Sequence, residues 1–371
     1  MPEAVKVAMI GCGAISGIYL QNITQVFKEL QLVGVCDLIP ERAQNAQKAY
    51  GVPKLYPTMY DAFADPEVEV VLNLTRPYQH FEVTKAALQA GKHVYSEKPL
   101  GADLAEGKAL VALAQEKGLM LGGAPDTYLG AGIQTCRELI DKGAIGRPLG
   151  ADCRMICHGH ESWHPDPAFY YQRGGGPMMD MGPYYVTALV NLLGGVRAVT
   201  GITKSFFPKR LITSQPHCGE TVDVEVATHL AGMLEFDSGA VGTILTTFDV
   251  HYDSQAHFEV YGTEGTLQVP DPNTFGGPIR LLRPEDGCWR ELPLAFDYRE
   301  NSRGLGLADM ACALRGGGAF RSSWEQTLHV LEVLTAFEKS SAARAAYSME
   351  THYQQRPPLG RHPIHGVLGE L

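Results

Sequence analysis

The chain has 371 residues, 45% of hydrophobic and 19% of charged type, a globular balance that excludes disorder and is long enough for two domains. Its 31 basic and 41 acidic residues leave a formal charge of −10, which argues against a general nucleic-acid or anionic-membrane surface. No apolar run reaches the ~18 residues of a membrane span. The start, MPEAVKVAMIGCG, lacks the zones of a secretory leader, so a cytoplasmic address is expected.

Taken in chain order, the first third alternates strand and helix. Val5–Ile10 is a short apolar run that stops at glycine, and a helix is predicted over Ser16–Leu30. Leu32–Cys36 reads as the next strand, and Pro40–Tyr50 as a helix with proline in its first turn. Val68–Leu74 is a strong β run, His80–Ala90 a helix closed by Gly91, and His93–Ser96 a brief strand. Asp103 caps a helix to Lys117, before a strand at Leu119–Leu121. Repeated units of this length imply a parallel sheet with helices on both faces, placed at residues 1–123.

The texture then changes. After a helix over Leu129–Asp141, β-like stretches are expected at Leu149–His158, Val196–Ser205, Thr221–Phe236, Ala240–Phe248, His257–Tyr261 and Thr266–Val269. Turn residues between them favour antiparallel neighbours. Helices are predicted at Pro183–Leu193, Leu305–Leu314 and Trp324–Ser340. Residues 124–349 thus form a second, α+β domain with a mainly antiparallel sheet, and 350–371 a proline- and histidine-rich surface arm.

Gly11-Cys12-Gly13-Ala14-Ile15-Ser16 follows the first strand and opens the first helix. Gly11 suits a tight turn, and Gly13 lets backbone approach a pyrophosphate at a helix N-terminus. Ser16 stands at the third glycine position. Asp37 ends the second strand, where a carboxylate bonds an adenosine ribose and repels a 2′-phosphate. This puts NAD(H) ahead of NADP(H), although Arg42 lies close in sequence. Thr75, Pro77 and His80 follow the fourth strand, and Glu97-Lys98-Pro99 the fifth. Strand exits of this kind line ligand clefts; singly, Thr75 reads as a helix cap, and His80 and Lys98 as surface residues.

A second group lies at Gly174-Gly-Gly176-Pro-Met-Met-Asp180-Met-Gly-Pro183-Tyr184-Tyr185. Asp180 and Tyr184 are four apart, about one helical turn, so both are expected on one side, with Tyr185 the competitor for that face. The run of glycines suits close approach of backbone. Cys153, Cys157, His158, His160 and His164 crowd together, but without tight ligand spacing, and no metal is expected. The eight cysteines hold no Cys-x-x-Cys and are expected as buried thiols. Trp163 and His164 suit a substrate mouth, a ring stacking on a sugar face and an imidazole bonding hydroxyls. A packed loop tryptophan is the plainer reading.

Together these landmarks resemble the Gfo/Idh/MocA family, which includes glucose–fructose oxidoreductase, inositol dehydrogenase and dihydrodiol dehydrogenase. The match rests on Gly11-Cys-Gly13, Asp37, Glu97-Lys98-Pro99, Gly174-Gly-Gly with Asp180, and Tyr261-Gly-Thr-Glu-Gly265. The resemblance implies an N-terminal Rossmann domain, then an α+β domain whose large open sheet has one face for substrate and one for subunit contacts. It assigns Lys98 as the catalytic lysine and Asp180 as the aspartate of an Asp-x-x-x-His pattern. Tyr184 replaces that histidine, as in glucose–fructose oxidoreductase and dihydrodiol dehydrogenase.

The expected protein is an α/β, NAD(H)-dependent homodimer or homotetramer that moves a hydride between nicotinamide and a secondary alcohol of a sugar or polyol. The cofactor set is Gly11, Gly13, Ala14, Ile15, Ser16, Asp37, Thr75, Pro77, His80, Glu97 and Lys98. Tyr184 serves as acid/base with Lys98, although Lys98 itself can carry the proton. Asp180, Trp163 and His164 hold substrate. The alternatives are a reductase of dicarbonyls or aromatic diols, and a dinucleotide-binding regulator without turnover.

Overall fold

A computed structural model describes residues 3–251, 257–316, 318–362 and 364–368. The chain divides into two compact units: Met1–Gly130 with Phe296–Leu328 and Arg356–Leu371, and Ala131–Ala295 with His329–Gln355.

The first unit opens with β1 (Val5–Ile10), α1 (Ser16–Gln25), β2 (Leu30–Cys36), α2 (Pro40–Tyr50), β3 (Lys54–Leu55), α3 (Met59–Ala64) and β4 (Val70–Asn73). It continues through α4 (His80–Gln89), β5 (His93–Ser96), α5 (Leu104–Glu116) and β6 (Leu121–Gly123). The helices begin where local chemistry predicts: Asp103 accepts the Glu106 N–H at 2.9 Å, and Thr58 and Asp61 form a reciprocal capping box. The six strands are parallel in the order β3-β2-β1-β4-β5-β6. β1 and β4 are buried almost throughout, as strands covered on both faces must be.

The second unit contains α6 (Ala131–Asp141), β7 (Pro148–Ile156), α7 (Pro177–Asp180), α8 (Gly182–Leu193), β8 (Val196–Lys204), β9 (Lys209–Leu211) and β10 (Thr221–Asp223). Then come β11 (His229–Phe236), β12 (Val241–Thr247), β13 (His257–Gly262), β14 (Thr266–Gln268), β15 (Ile279–Leu282) and β16 (Arg290–Leu292). After them the chain forms α9 (Leu305–Leu314), α10 (Trp324–Ala343) and β17 (Tyr347–Ser348). Nine strands run in the order β16-β15-β14-β13-β7-β12-β11-β8-β17, antiparallel except for the parallel pair β7 and β12. One sheet face is core: Val199, Leu230, Leu234, Ile244, Cys153 and Phe258 are buried. Gly201 and Gly232 sit so close under Phe337 of α10 that a Cβ at either would fall within 2.8 Å of the ring.

Several expectations change. The helix read over Ser16–Leu30 ends at Gln25, and Leu30 already opens β2; of the cysteines expected as buried thiols, Cys218 and Cys288 are exposed. Thr221–Phe236 is two strands, because the chain leaves the sheet between them: β10 pairs with β9, and the Glu225 N–H turns to the Tyr171 carbonyl. The boundaries at 123 and 349 give way to a discontinuous first unit. Asp126 accepts the Gly304 and Gly306 N–H groups at the start of α9, and Gly122 bridges to Ser323. The segment read as a surface arm packs instead: Leu359, Val367 and Leu368 are buried, and the Gly366 carbonyl accepts the Lys28 N–H. Residues 1, 2, 252–256, 317, 363 and 369–371 of the expected domains lie outside the described residues.

Candidate active site

In the first unit the strand order reverses between β1 and β4, and ligands of open α/β sheets bind beyond the carboxyl ends of strands at such a point. Gly11 leaves β1 with φ +100°, and a Cβ there would sit 2.7 Å from the Leu74 carbonyl oxygen at the end of β4. Only glycine permits that contact. Gly13 is the opposite case: no atom lies within 4 Å of where its Cβ would be. Ala14 is exposed and Ile15 half-buried, and α1 starts without a side-chain cap. The Ser16 N–H donates to the Gly13 carbonyl at 3.1 Å, and no side chain caps the N–H groups that follow, the end of a helix to which an anion is drawn. Ser16 is buried, and its hydroxyl donates to the Gly13 carbonyl at 2.7 Å, closing the turn where a third glycine was expected.

Asp37 lies across this turn. Its carboxylate accepts the Cys12 N–H at 2.6 Å and the Ile39 N–H at 2.7 Å. Burial, reinforced by Asp37, pushes the Cys12 thiol up to about 12, so no thiolate competes with a bound phosphate. Leu38 and Ile39 are exposed. An open glycine, an uncapped helix start and a carboxylate ending β2 fit the pyrophosphate and ribose of a dinucleotide.

The exits of β4 and β5 are tied together by His80. Its Nδ1 is 2.8 Å from the Pro99 carbonyl oxygen and its Nε2 2.9 Å from that of Thr75. The ring is buried, and burial pushes its pKa below the ordinary imidazole value. His80 is thus no surface histidine: both ring nitrogens lie against backbone carbonyl oxygens. Thr75 bonds to Asn73 through its hydroxyl at 2.7 Å, and Pro77 begins a short 3-10 turn. Glu97 accepts the Tyr19 hydroxyl at 2.8 Å and the Lys98 N–H at 3.0 Å. Burial, with Glu97 beside it, holds the Tyr19 phenol well above its usual value, so it remains a donor. This clamp fixes the backbone from which the half-buried Lys98 projects.

In the second unit Asp180 ends α7 and Tyr184 lies in α8, with Met181 between the two helices at φ −101° and ψ −29°. The single continuous turn expected to relate them is interrupted. Tyr184 is buried at the edge of accessibility. Tyr185 stacks near Phe258, ring centroids 6.3 Å apart, and burial pushes its phenol up; it belongs to the core. The glycine run serves packing: a Cβ on Gly175 would meet the Phe169 carbonyl at 2.5 Å, and one on Gly176 the Ala227 carbonyl at 2.8 Å.

The structure also assembles residues that sequence reasoning left aside. His160 Nε2 lies 3.3 Å from Asp180 Oδ2. Its ring packs against Tyr170, Phe248 and Trp163, with centroids at 4.2, 4.7 and 5.3 Å. Trp163 is 61% exposed and meets the His164 ring edge-on at 5.3 Å. Beneath this aromatic group is a buried ionic network. Arg210 bonds Glu161 and Asp249, and donates to the His158 and Phe248 carbonyls at 2.7 and 2.9 Å. Tyr171 donates to Glu161 at 2.6 Å. Cys153 is buried in β7, and His158 stacks on His251. Among the described residues no three His, Cys, Asp or Glu side chains gather as a metal site needs.

The fold and the glycine turn define a dinucleotide-binding protein. Residues 5–123 match the model described as the oxidoreductase family with NAD-binding Rossmann fold, and residues 133–268 the GFO/IDH/MocA C-terminal domain. The two cover most of the chain, which belongs to the Gfo/Idh/MocA oxidoreductase family and uses NAD(H). Levoglucosan dehydrogenase of Pseudarthrobacter phenanthrenivorans is 26% identical over 250 residues, and the match spans 63% of each chain. scyllo-Inositol 2-dehydrogenase (NAD(+)) of Bacillus subtilis is 26% identical over 270 residues, 72% of this chain and 75% of that one. A solved structure of levoglucosan dehydrogenase in complex with NADH and levoglucosan shares the fold with a TM-score of 0.79 at 22% identity, covering 93% of this chain and 99% of that chain.

Proposed function

We propose that this oxidoreductase interconverts a secondary alcohol and a ketone on a sugar, polyol or related polyhydroxylated small molecule. The observation that carries the reading is Asp180, bonded to an imidazole around which aromatic rings pack, in a chain that also holds a dinucleotide turn. Carboxylate, imidazole and exposed indole are the groups that grip hydroxyls and the apolar face of a sugar ring. The relatives named for levoglucosan and scyllo-inositol support this class.

Gly11, Gly13, Ala14, Ile15, Ser16 and Asp37 hold the pyrophosphate and adenosine side of NAD(H), and Thr75, Pro77 and Glu97 line its path. Bound NAD+ supplies a hydride acceptor. Lys98 places a positive charge on the oxygen that becomes alkoxide, Tyr184 exchanges the proton with that oxygen, and Asp180, Trp163 and His164 orient the remaining hydroxyls. The test is NADH absorbance in a screen of sugars, inositols, sugar nucleotides and aromatic diols. Turnover with polyols supports the reading. Turnover with dicarbonyls or aromatic diols alone moves it to the second enzyme class. Tight NADH binding without turnover on any substrate replaces it with a regulator.

We also place the protein in the cytoplasm as a homodimer or homotetramer. Among the described residues no helix is long and apolar enough to cross a membrane. Pairing register puts Ile202, Ala231 and Leu245 in one row across the large sheet, and Met233 and Val241 on the same face. Ile202, Met233 and Val241 are exposed there, which suits an interface.

A further inference from the structure

We propose that His160 is the exit for the proton that the alcohol loses, with Asp180 as the carboxylate that orients it. This rests on the functional reading above. An ionised carboxylate only accepts, so the 3.3 Å contact between Asp180 Oδ2 and His160 Nε2 places the ring hydrogen on Nε2. The lone pair then sits on Nδ1, making that atom the base. Tyr170, Phe248 and Trp163 pack around the ring from separate segments and hold its orientation. The His160 and Asp180 side chains are 13% and 17% exposed, sheltered yet reachable.

Among the described residues, the histidines near it in the chain and those paired with a carboxylate lack this combination. His158 is stacked on His251 and lies beside Arg210, and burial with that cation pushes its pKa down. His164 Nδ1 already accepts the Asp166 N–H at 3.0 Å. The carboxylate-paired His217, His257 and His365 have side chains 43%, 36% and 57% exposed. Asp180 comes from α7. Glu161, next in the chain, is neutralised by Arg210. Burial raises the Cys157 thiol, which stays protonated. Tyr170 adds a phenol.

The step balances simply. Oxidation breaks the C–H and O–H bonds of one carbinol. The hydride with its electron pair goes to NAD+. The hydroxyl proton passes through the Tyr184 hydroxyl to His160 Nδ1, where Asp180 stabilises the imidazolium until solvent removes it. In reduction the path runs backwards. A phenol that starts and ends each turnover protonated needs such a partner.

The decisive variant is His160→Gln, which can still donate to Asp180 but cannot carry the proton. Using the best substrate of the screen, kcat for oxidation is expected to fall by about 10²-fold. The acid limb of its pH profile should disappear, NADH should bind as in wild type, and added imidazole should restore part of the rate. Imidazole rescue is the readout that a purely structural role would not give. A second measurement is independent of turnover. Nitrogen NMR of the ring is expected to show the Nε2–H tautomer in wild type and its loss in Asp180→Asn. Wild-type turnover with His160→Gln within threefold of it and an unchanged acid limb overturns this proposal alone, as does an Nδ1–H tautomer. No turnover by wild type on any substrate overturns the functional reading, and the proton exit with it.

Discussion

At the residue scale, we propose that Asp37 sets the choice of nucleotide. Its carboxylate stands at the end of β2, held by the N–H groups of Cys12 and Ile39, and it would repel a 2′-phosphate. Fluorescence titration should show tighter binding of NADH than NADPH, and Asp37→Ala should narrow the gap. Tighter NADPH binding by wild type would remove this role. The turn that Gly11, Gly13 and Asp37 build was legible because it is local: a strand, a turn and a helix start within a few residues. His80 was only half legible. Its place after a strand was visible, but the ring is consumed by two carbonyls, one of them 19 residues away. His160 was legible only as part of a loop near a substrate mouth; its pairing with Asp180 was not, because that partner lies 20 residues along the chain and no spacing rule joins a loop histidine to a helix-end aspartate.

At the scale of elements, α10 illustrates stability held by a neutral histidine. His329 Nε2 accepts the Val196 N–H at 2.9 Å, and Nδ1 lies 2.8 Å from the Thr351 hydroxyl. Burial lowers its pKa from 6.5 to about 4. Below pH 6.5 the unfolded chain takes up a proton that the native state refuses. The contribution is present above that value and is lost as pH falls through about 4, to the extent of about 3 kcal/mol. Asp126 works oppositely: burial raises it to about 6, so its contribution declines as pH rises from 3.8 to that value. The clean measurement is the difference in denaturant unfolding between wild type and His329→Gln. Wild type should lose its advantage between pH 6.5 and 4, and a constant difference would contradict the assignment. The loop around residues 158–171 was the least legible element. It is pinned by Arg210 to Glu161, 49 residues apart, a pairing that only the folded chain reveals. Removing one member of such a buried pair typically costs ~3–5 kcal/mol.

At the scale of the whole molecule, alternating β and α patterns announced the parallel sheet, and long β runs separated by turns announced the antiparallel one. The return of residues 296–328 and 356–371 to the first unit was not visible, because it depends on Asp126 capping α9 and on buried Leu359 and Leu368. The exposed row on the nine-stranded sheet leads to an association prediction: sedimentation at micromolar concentration should show dimer or tetramer, and Met233→Lys should shift it toward monomer. Only monomer in wild type would refute it. The central claim is NAD-dependent oxidation with charge supplied by Lys98 and a proton handled by Tyr184. It is tested most directly by steady-state NADH formation from the best substrate, comparing wild type with Lys98→Met and Tyr184→Phe. Each variant should lose about 10²–10³ in kcat while binding NADH as before. Near-wild-type turnover in both would contradict the catalytic assignment.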